Sequence, residues 1–296
     1  MQGLSIKSKF LPYLLLLPAF LLILIFKIYP IIRTFTDAFI VNSHFSLQAY
    51  TTLFGDPTIW NSLGVTLKIN IIMIPLQIIL SFILALLVNV TLKGIGLFRT
   101  IFYLPVTVSL TIAVLLWSMM MDPSSGVLNS FLNLLGISQQ SFLQDKNEAI
   151  WCIVVIATWK GCGYWMMFFL AGLKSIDNSI YEAAKIDGAT FLQTIFRITI
   201  PLMKDVSLFV MVANTTANLL LFIPMQMVTQ GGPEGSTDVL MYEAYKSAFM
   251  YINPSRSAAI ISILLVLVVA ICAFQFIMMS DKKDETSGEG HTLEKA

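Results

Sequence analysis

The sequence is poor in charge. Asp, Glu, Lys and Arg make up 12% of its 296 residues, against 57% that are hydrophobic. Soluble globular domains carry about 25% charged residues, so an ordinary water-soluble enzyme is excluded. A disordered chain is excluded too, because it needs high charge and low hydrophobicity. Cysteine is scarce: Cys152, Cys162 and Cys272 all lie in apolar stretches. Without ligand spacing they read as small buried hydrophobes, not as a disulfide framework or a metal centre. Of the two histidines, His44 sits in a polar loop and His291 in the polar tail, so neither serves a catalytic site inside a membrane. No Gly-x-x-x-x-Gly-Lys-Ser/Thr or His-Glu-x-x-His occurs, so the chain has no phosphate-cradling loop of its own. Gly161-Cys162-Gly163 lacks the further glycine of a dinucleotide fingerprint. The net charge of +1 identifies no partner by itself, and no nucleic-acid role is expected.

What the sequence does have is apolar blocks, with a mean hydropathy of +0.81. An outer-membrane barrel would alternate apolar and polar residues; blocks point to membrane-spanning helices. A span needs about 20 apolar residues. Six stretches qualify: 11–29, 63–90, 101–121, 149–173, 206–228 and 258–279. The first is too long and too late for a typical signal peptide. Eleven lysines and arginines fall on one side of this arrangement and five on the other, which places both termini in the cytoplasm. Lys68 and Lys160 fall within spans. The expected fold is therefore an all-α membrane protein. It has six transmembrane helices, a cytoplasmic segment 1–10, a six-span body 11–279 and a cytoplasmic tail 280–296.

The cytoplasmic loop 174–204 is the most informative segment. It predicts two short helices around a glycine. Ser179 with Glu182 fits a capping box, as does Thr190 with Gln193. Ala183, Ala184 and Ala189 are small and favour helix; Gly188 supplies the turn. Pro201 suits the first turn of the next helix. A compact helix–glycine–helix at a membrane surface is a knob that fits a socket on another subunit.

Glu182-Ala183-Ala184, Gly188, Ile198 and Pro201 resemble the EAA loop of ATP-binding-cassette importer permeases. The run Tyr-Glu-Ala-Ala-Lys-Ile-Asp-Gly-Ala-Thr starting at Tyr181 resembles the sugar-type importers. Trp159-Lys-Gly-Cys-Gly-Tyr164, the Gly231-Gly232-Pro233 loop with Ser236-Thr237, Leu14–Pro30 and Phe102-Tyr-Leu-Pro105 agree with it. Ile200 in place of leucine and Asp205 in place of a second proline depart from the pattern. The resemblance implies a permease subunit in a bacterial plasma membrane. Its partners would be a second similar permease, an ATPase dimer, an extracytoplasmic solute-binding protein and membrane lipid. The subunit itself would be no enzyme and bind no cofactor; ATP and Mg would belong to the ATPase. Glu182, Ala183, Ala184, Asp187 and Gly188 would form the coupling helix, and the Gly231 loop would meet the binding protein.

Polar groups inside a membrane mark a pathway or a helix contact. Asn214 and Asn218 are four apart and face one side of span five. Their amides suit sugar hydroxyls. By resemblance, sugar-contacting positions fall at Lys160, Gly161, Tyr164, Asn214, Ala217, Asn218 and Leu221. Interhelical bonding for the two asparagines, packing for Tyr164, and carbonyl pairing or snorkelling for Lys160 are the competing readings. The expected cargo is a sugar or oligosaccharide, with a glycerol-phosphate ester as the alternative. A secondary transporter would need a titratable carboxylate in a span, and the six stretches contain no Asp or Glu. A scaffold or sensor that moves nothing is the third possibility.

Overall fold

The computed structural model describes residues 6–41 and 44–280. The tail beyond 280, with His291, and the first five residues lie outside the described residues. Residues 6–10, expected to be a terminal segment, begin the first helix. Among the described residues the regular structure is helical apart from one two-residue ladder, β1 (Ile40–Val41) with β2 (His44–Phe45), which pairs Ile40 with Phe45.

The chain divides into two compact units. The first comprises Met1–Ile59 and Glu243–Ile263. Its helix α1 runs from Ile6 to Ala38 through a π-helical turn at Leu24–Ile28, nine residues beyond the expected end at 29. The added turns carry Arg33 and Asp37, an exposed i,i+4 ion pair at 3.1 Å. The most apolar window of α1 buries nothing against the rest of the chain. In α2 (Gln48–Phe54), Tyr50 shares a hydrogen bond of 2.8 Å with Ser262. Arg256 pairs with Asp56 at 2.7 Å, and Lys246 with the buried Glu243 at 2.5 Å. Partial burial pushes the Asp56 carboxyl up, but the Arg256 guanidinium and the Thr58 N–H hydrogen bond outweigh it and leave it below the usual range.

The second unit comprises Trp60–Tyr242 and Leu264–Ala296. Its main elements are α3 (Pro57–Val88), α4 (Ile95–Thr107), α5 (Leu110–Met120) and α6 (Val127–Leu134). They are followed by α7 (Ala149–Ser175), α8 (Asn178–Ile186), α9 (Phe191–Leu202) and α10 (Lys204–Leu219); α11 (Leu240–Tyr245) and α12 (Pro254–Ser280) are divided between the two units. Helix α7 is the most buried of the long apolar helices. Its Trp165, Met166, Phe169, Leu170 and Leu173 form a core with Ala85, Val88, Met203 and Val210. Gly163 sets the approach of α4 to α7: a Cβ there would lie 2.1 Å from the Phe102 carbonyl oxygen.

Among the described residues, four helices are long and apolar enough to cross a membrane: Tyr13–Ala38, Pro57–Val88, Ala149–Ser175 and Pro254–Met279. The expected third span is a bent pair, α4 and α5, at 96° to each other. Counted as one, it makes five. Hydropathy sees an unbroken apolar run there, yet Pro105 removes an N–H, and Val108 and Ser109 are extended. The Ser109 hydroxyl then caps α5 by accepting from the Ile112 N–H at 3.3 Å. The expected fifth span is also interrupted. Helix α10 stops at Leu219, and a π-helical turn, Met225–Thr229, follows Pro224. Leu221 and Phe222 between them are not helical, and Pro224 lacks the N–H that would bond back across the break, so the apolar run 206–228 is not one helix.

Candidate functional site

Helix α8 carries the EAA-like residues. Its N-cap is Asp177, whose carboxylate accepts from the Ser179 N–H at 2.9 Å. This corrects the expected Ser179–Glu182 capping box: Ser179 lies inside the helix. Two hydrogen bonds from Ser179, the backbone one first, hold the Asp177 carboxyl below its usual range. Glu182 is thereby left on the exposed face with Ala183 and Asp187. Ala184 is buried within the chain, so it packs α8 down and does not face outward. At the C-terminus, Ala189 N–H donates to the Ala184 carbonyl at 2.9 Å and Gly188 N–H to the Lys185 carbonyl at 3.2 Å. That pair of bonds is a Schellman closure, which needs a left-handed residue; Gly188 supplies it at φ +75°. The second predicted box is present: Thr190 accepts from the Gln193 N–H, and Gln193 Oε1 accepts from the Thr190 N–H at 2.8 Å. The result is a rigid turn flanked by exposed Ile186 (86% exposed), Phe191 and Leu192.

The second cluster lies among α3, α7 and α10. Asn214 is fully buried and donates to Gln77 Oε1 at 2.6 Å. Asn218 donates to the same oxygen at 2.9 Å and to Asn214 Oδ1 at 3.0 Å. A Cβ on Gly161 would stand 3.4 Å from the Gln77 amide. Three of the predicted positions, Gly161, Asn214 and Asn218, therefore converge through a residue that had not been singled out. Gln77 had a readable signal: Ser62, Thr66, Asn70, Gln77 and Ser81 form one buried polar stripe on α3 at helical spacing. The cluster is uncharged and rich in donors and acceptors.

The other predicted positions are placed differently. Lys160 Nζ donates to the carbonyls of Val108 (2.7 Å), Pro105 and Val106 (both 3.3 Å). It thus satisfies oxygens freed by the α4–α5 bend. Tyr164 is half-exposed, with its ring edge-on to Trp165 and Phe168 at 4.8 and 5.1 Å between centroids. Ala217 is exposed on α10, and Leu221 lies in the interruption after it. Replacing Lys160 by methionine strands those carbonyls at a cost of about 1–3 kcal/mol. The expected result is a lower unfolding temperature of the purified chain in detergent, partly restored by arginine. An unchanged temperature would remove Lys160 from this role.

The loop 229–240 is folded inward more than its glycines and proline suggest. Thr237, fully buried, donates to the Gly232 carbonyl at 2.8 Å, and its hydroxyl shares a hydrogen bond of 2.7 Å with the Thr229 hydroxyl. Asn61 donates to the Gly235 carbonyl and Leu240 N–H to Thr66 Oγ1, both at 2.9 Å. Glu234 is exposed and pairs with Lys146 at 2.8 Å.

Residues 8–283 match the family described as the binding-protein-dependent transport system inner membrane component. The chain belongs to that family. It is a multi-pass plasma-membrane protein and the permease component of an ATP-binding-cassette importer, which sets aside secondary transport. It is 35% identical over 284 residues to the sn-glycerol-3-phosphate transport system permease protein UgpA of Agrobacterium fabrum. That alignment covers 93% of this chain and 97% of the relative. The probable ABC transporter permease protein YurN of Bacillus subtilis is 31% identical over 290 residues, covering 94% and 99%. Two solved structures share the fold. One is a bacterial ABC transporter involved in import of the acidic polysaccharide alginate, with TM-score 0.86, 24% identity and coverage of 94% and 98%. The other is a bacterial alginate transporter in complex with an alginate pentasaccharide-bound periplasmic protein, with TM-score 0.84, 26% identity and coverage of 92% and 95%.

Proposed function

We propose that this permease moves a sugar or oligosaccharide, delivered by an extracytoplasmic binding protein, into the cell. The observation that carries this reading is the neutral Gln77–Asn214–Asn218 cluster beside Gly161, whose amides match the hydroxyl pairs of a carbohydrate. Lys160, the one cation among the predicted pathway residues, is spent on backbone carbonyls. The glycerol-phosphate alternative is favoured by the UgpA relatives, and an acidic glycan by the alginate transporters.

In this reading the topology has six spans, with the third and fifth broken, and both termini in the cytoplasm. The segment 1–10 and the tail 280–296 flank a permease body of 11–279. The loop 174–204 is the coupling segment: Glu182, Ala183, Asp187 and Gly188 present the docking face and Ala184 anchors it from below. A second permease completes the pathway, an ATPase dimer binds ATP and Mg, and this subunit hydrolyses nothing. The pathway residues are Gly161, Tyr164, Asn214, Ala217, Asn218 and Leu221, joined by Gln77, with Lys160 in support. Closure of the ATPases favours an outward-open permease pair, and hydrolysis returns it inward; each ligand acts through its differential affinity for the two states.

The test is ATP-dependent uptake by the reconstituted complex with its binding protein, offered neutral oligosaccharides or sn-glycerol-3-phosphate. Uptake of neutral sugar, uncompeted by excess glycerol phosphate, is expected. Uptake of the phosphate ester alone would replace the carbohydrate reading.

A further inference from the structure

A cavity of about 750 Å³ lies beside the coupling loop, away from the amide cluster. Its walls come from the end of α3, the start of α4, the last turn of α7, and α8 and α9. Among the described residues that line it, Arg99 and Lys174 are the charged ones and none is a carboxylate. Arg99 Nε and Nη2 donate to the Val88 carbonyl at 3.3 and 2.8 Å. This fixes the guanidinium plane and leaves further N–H groups to offer. A fixed guanidinium and an ammonium lining one cavity suit a phosphate. Thr91, Tyr181 and Thr194 add hydroxyls, while Val90, Ile95 and Phe191 add an apolar wall. The site is thus cationic on one side and greasy on the other. It sits where spans end.

We propose that this cavity holds the headgroup of an anionic phospholipid, with its phosphate between Arg99 and Lys174 and its glycerol backbone against the apolar wall. Basic pockets between span ends on the cytoplasmic side take such headgroups. The cytoplasmic placement rests on the orientation proposed above. Because Tyr181 on α8 and Thr194 on α9 line the same space, a bound lipid ties the coupling loop to the ends of α3 and α7. Free phosphate shares the charge but not the use of the apolar wall.

Native mass spectrometry of the full-length chain, purified in detergent with its co-purifying subunits, tests this. Phosphatidylglycerol, phosphatidylcholine and inorganic phosphate are titrated in turn. Retained phosphatidylglycerol is expected, weakened about fivefold by Lys174→Gln, as loss of one surface cation implies. Arg99→Gln should weaken it too, but Arg99 also holds the end of α3, so Lys174→Gln decides. Arg197, exposed in the same loop and outside the cavity, is the control: Arg197→Gln should change nothing. An equal loss with Arg197→Gln, equal retention of phosphatidylcholine, or displacement of the lipid by inorganic phosphate at matched concentration would overturn the proposal. The readout needs neither transport nor ATPase, so it fails independently of the coupling-loop reading.

Discussion

Replacing Gly188 with valine is expected to abolish ATP-driven uptake while the permease still reaches the membrane. Gly188 sits at φ +75°, and a Cβ there meets no atom within 4 Å. The substitution therefore causes no collision; its cost lies in the backbone. A left-handed conformation costs an ordinary L-residue about 1–2 kcal/mol, and a β-branched one more. The cheapest relief is to open the turn, which breaks the Ala189–Ala184 closure and swings α8 against α9. Exposed Glu182, Asp187 and Ile186 then leave their places together. A loss of about 1.4 kcal/mol in docking already means about a tenfold loss of coupling. Asparagine tolerates positive φ, so Gly188→Asn should keep most uptake. Uptake by the valine variant at the wild-type rate would mean that the turn transmits nothing.

The second large effect belongs to the amide cluster. Gln77→Leu removes the acceptor shared by Asn214 and Asn218. It leaves the fully buried Asn214 donor stranded, at about 1–3 kcal/mol, so both stability and uptake should fall. Asn218 is only partly buried. Asn218→Ala also deprives the buried Asn214 Oδ1 of its donor, so it should lower the unfolding temperature, but less than Gln77→Leu, and raise the KM for uptake, by about tenfold if it removes one good hydrogen bond to the cargo. Thermal unfolding and uptake measured on the same preparations separate the two roles. If Asn218→Ala lowers stability and leaves KM unchanged, the cluster is helix glue and not a cargo contact.

Much of this was legible from the residues. Spans two, four and six showed as long apolar runs because α3, α7 and α12 are continuous helices. The i,i+4 spacing of Asn214 and Asn218 put them on one face, where the structure has them. Thr190–Gln193 behaved as its spacing predicts because the box is local chemistry. The breaks did not show. Hydropathy integrates over side chains and is blind to backbone direction, so the 96° bend after Pro105 hid inside an apolar run. For Lys160 the resemblance points to the pathway and its chemistry to carbonyl pairing; the carbonyls it donates to come from a bend more than fifty residues away in sequence, beyond the reach of local spacing. Ser179 with Glu182 has the spacing of a capping box, but the lone Asp177 two residues upstream caps the helix instead. Gln77, one of three amides in a 32-residue apolar helix, stands out only when the polar stripe is followed along its whole length.

The central claim is that the loop after α7 is the contact through which a separate ATPase drives this permease. A photo-crosslinking residue at Ile186, the most exposed apolar position beside the glycine turn, reports on it directly in native membranes. The prediction is a crosslink to an ATP-binding-cassette ATPase chain, lost with Gly188→Val and absent when the probe sits at exposed Leu134 in α6. A crosslink from Ile186 to lipid alone, with the ATPase present in the same membranes, would contradict the account.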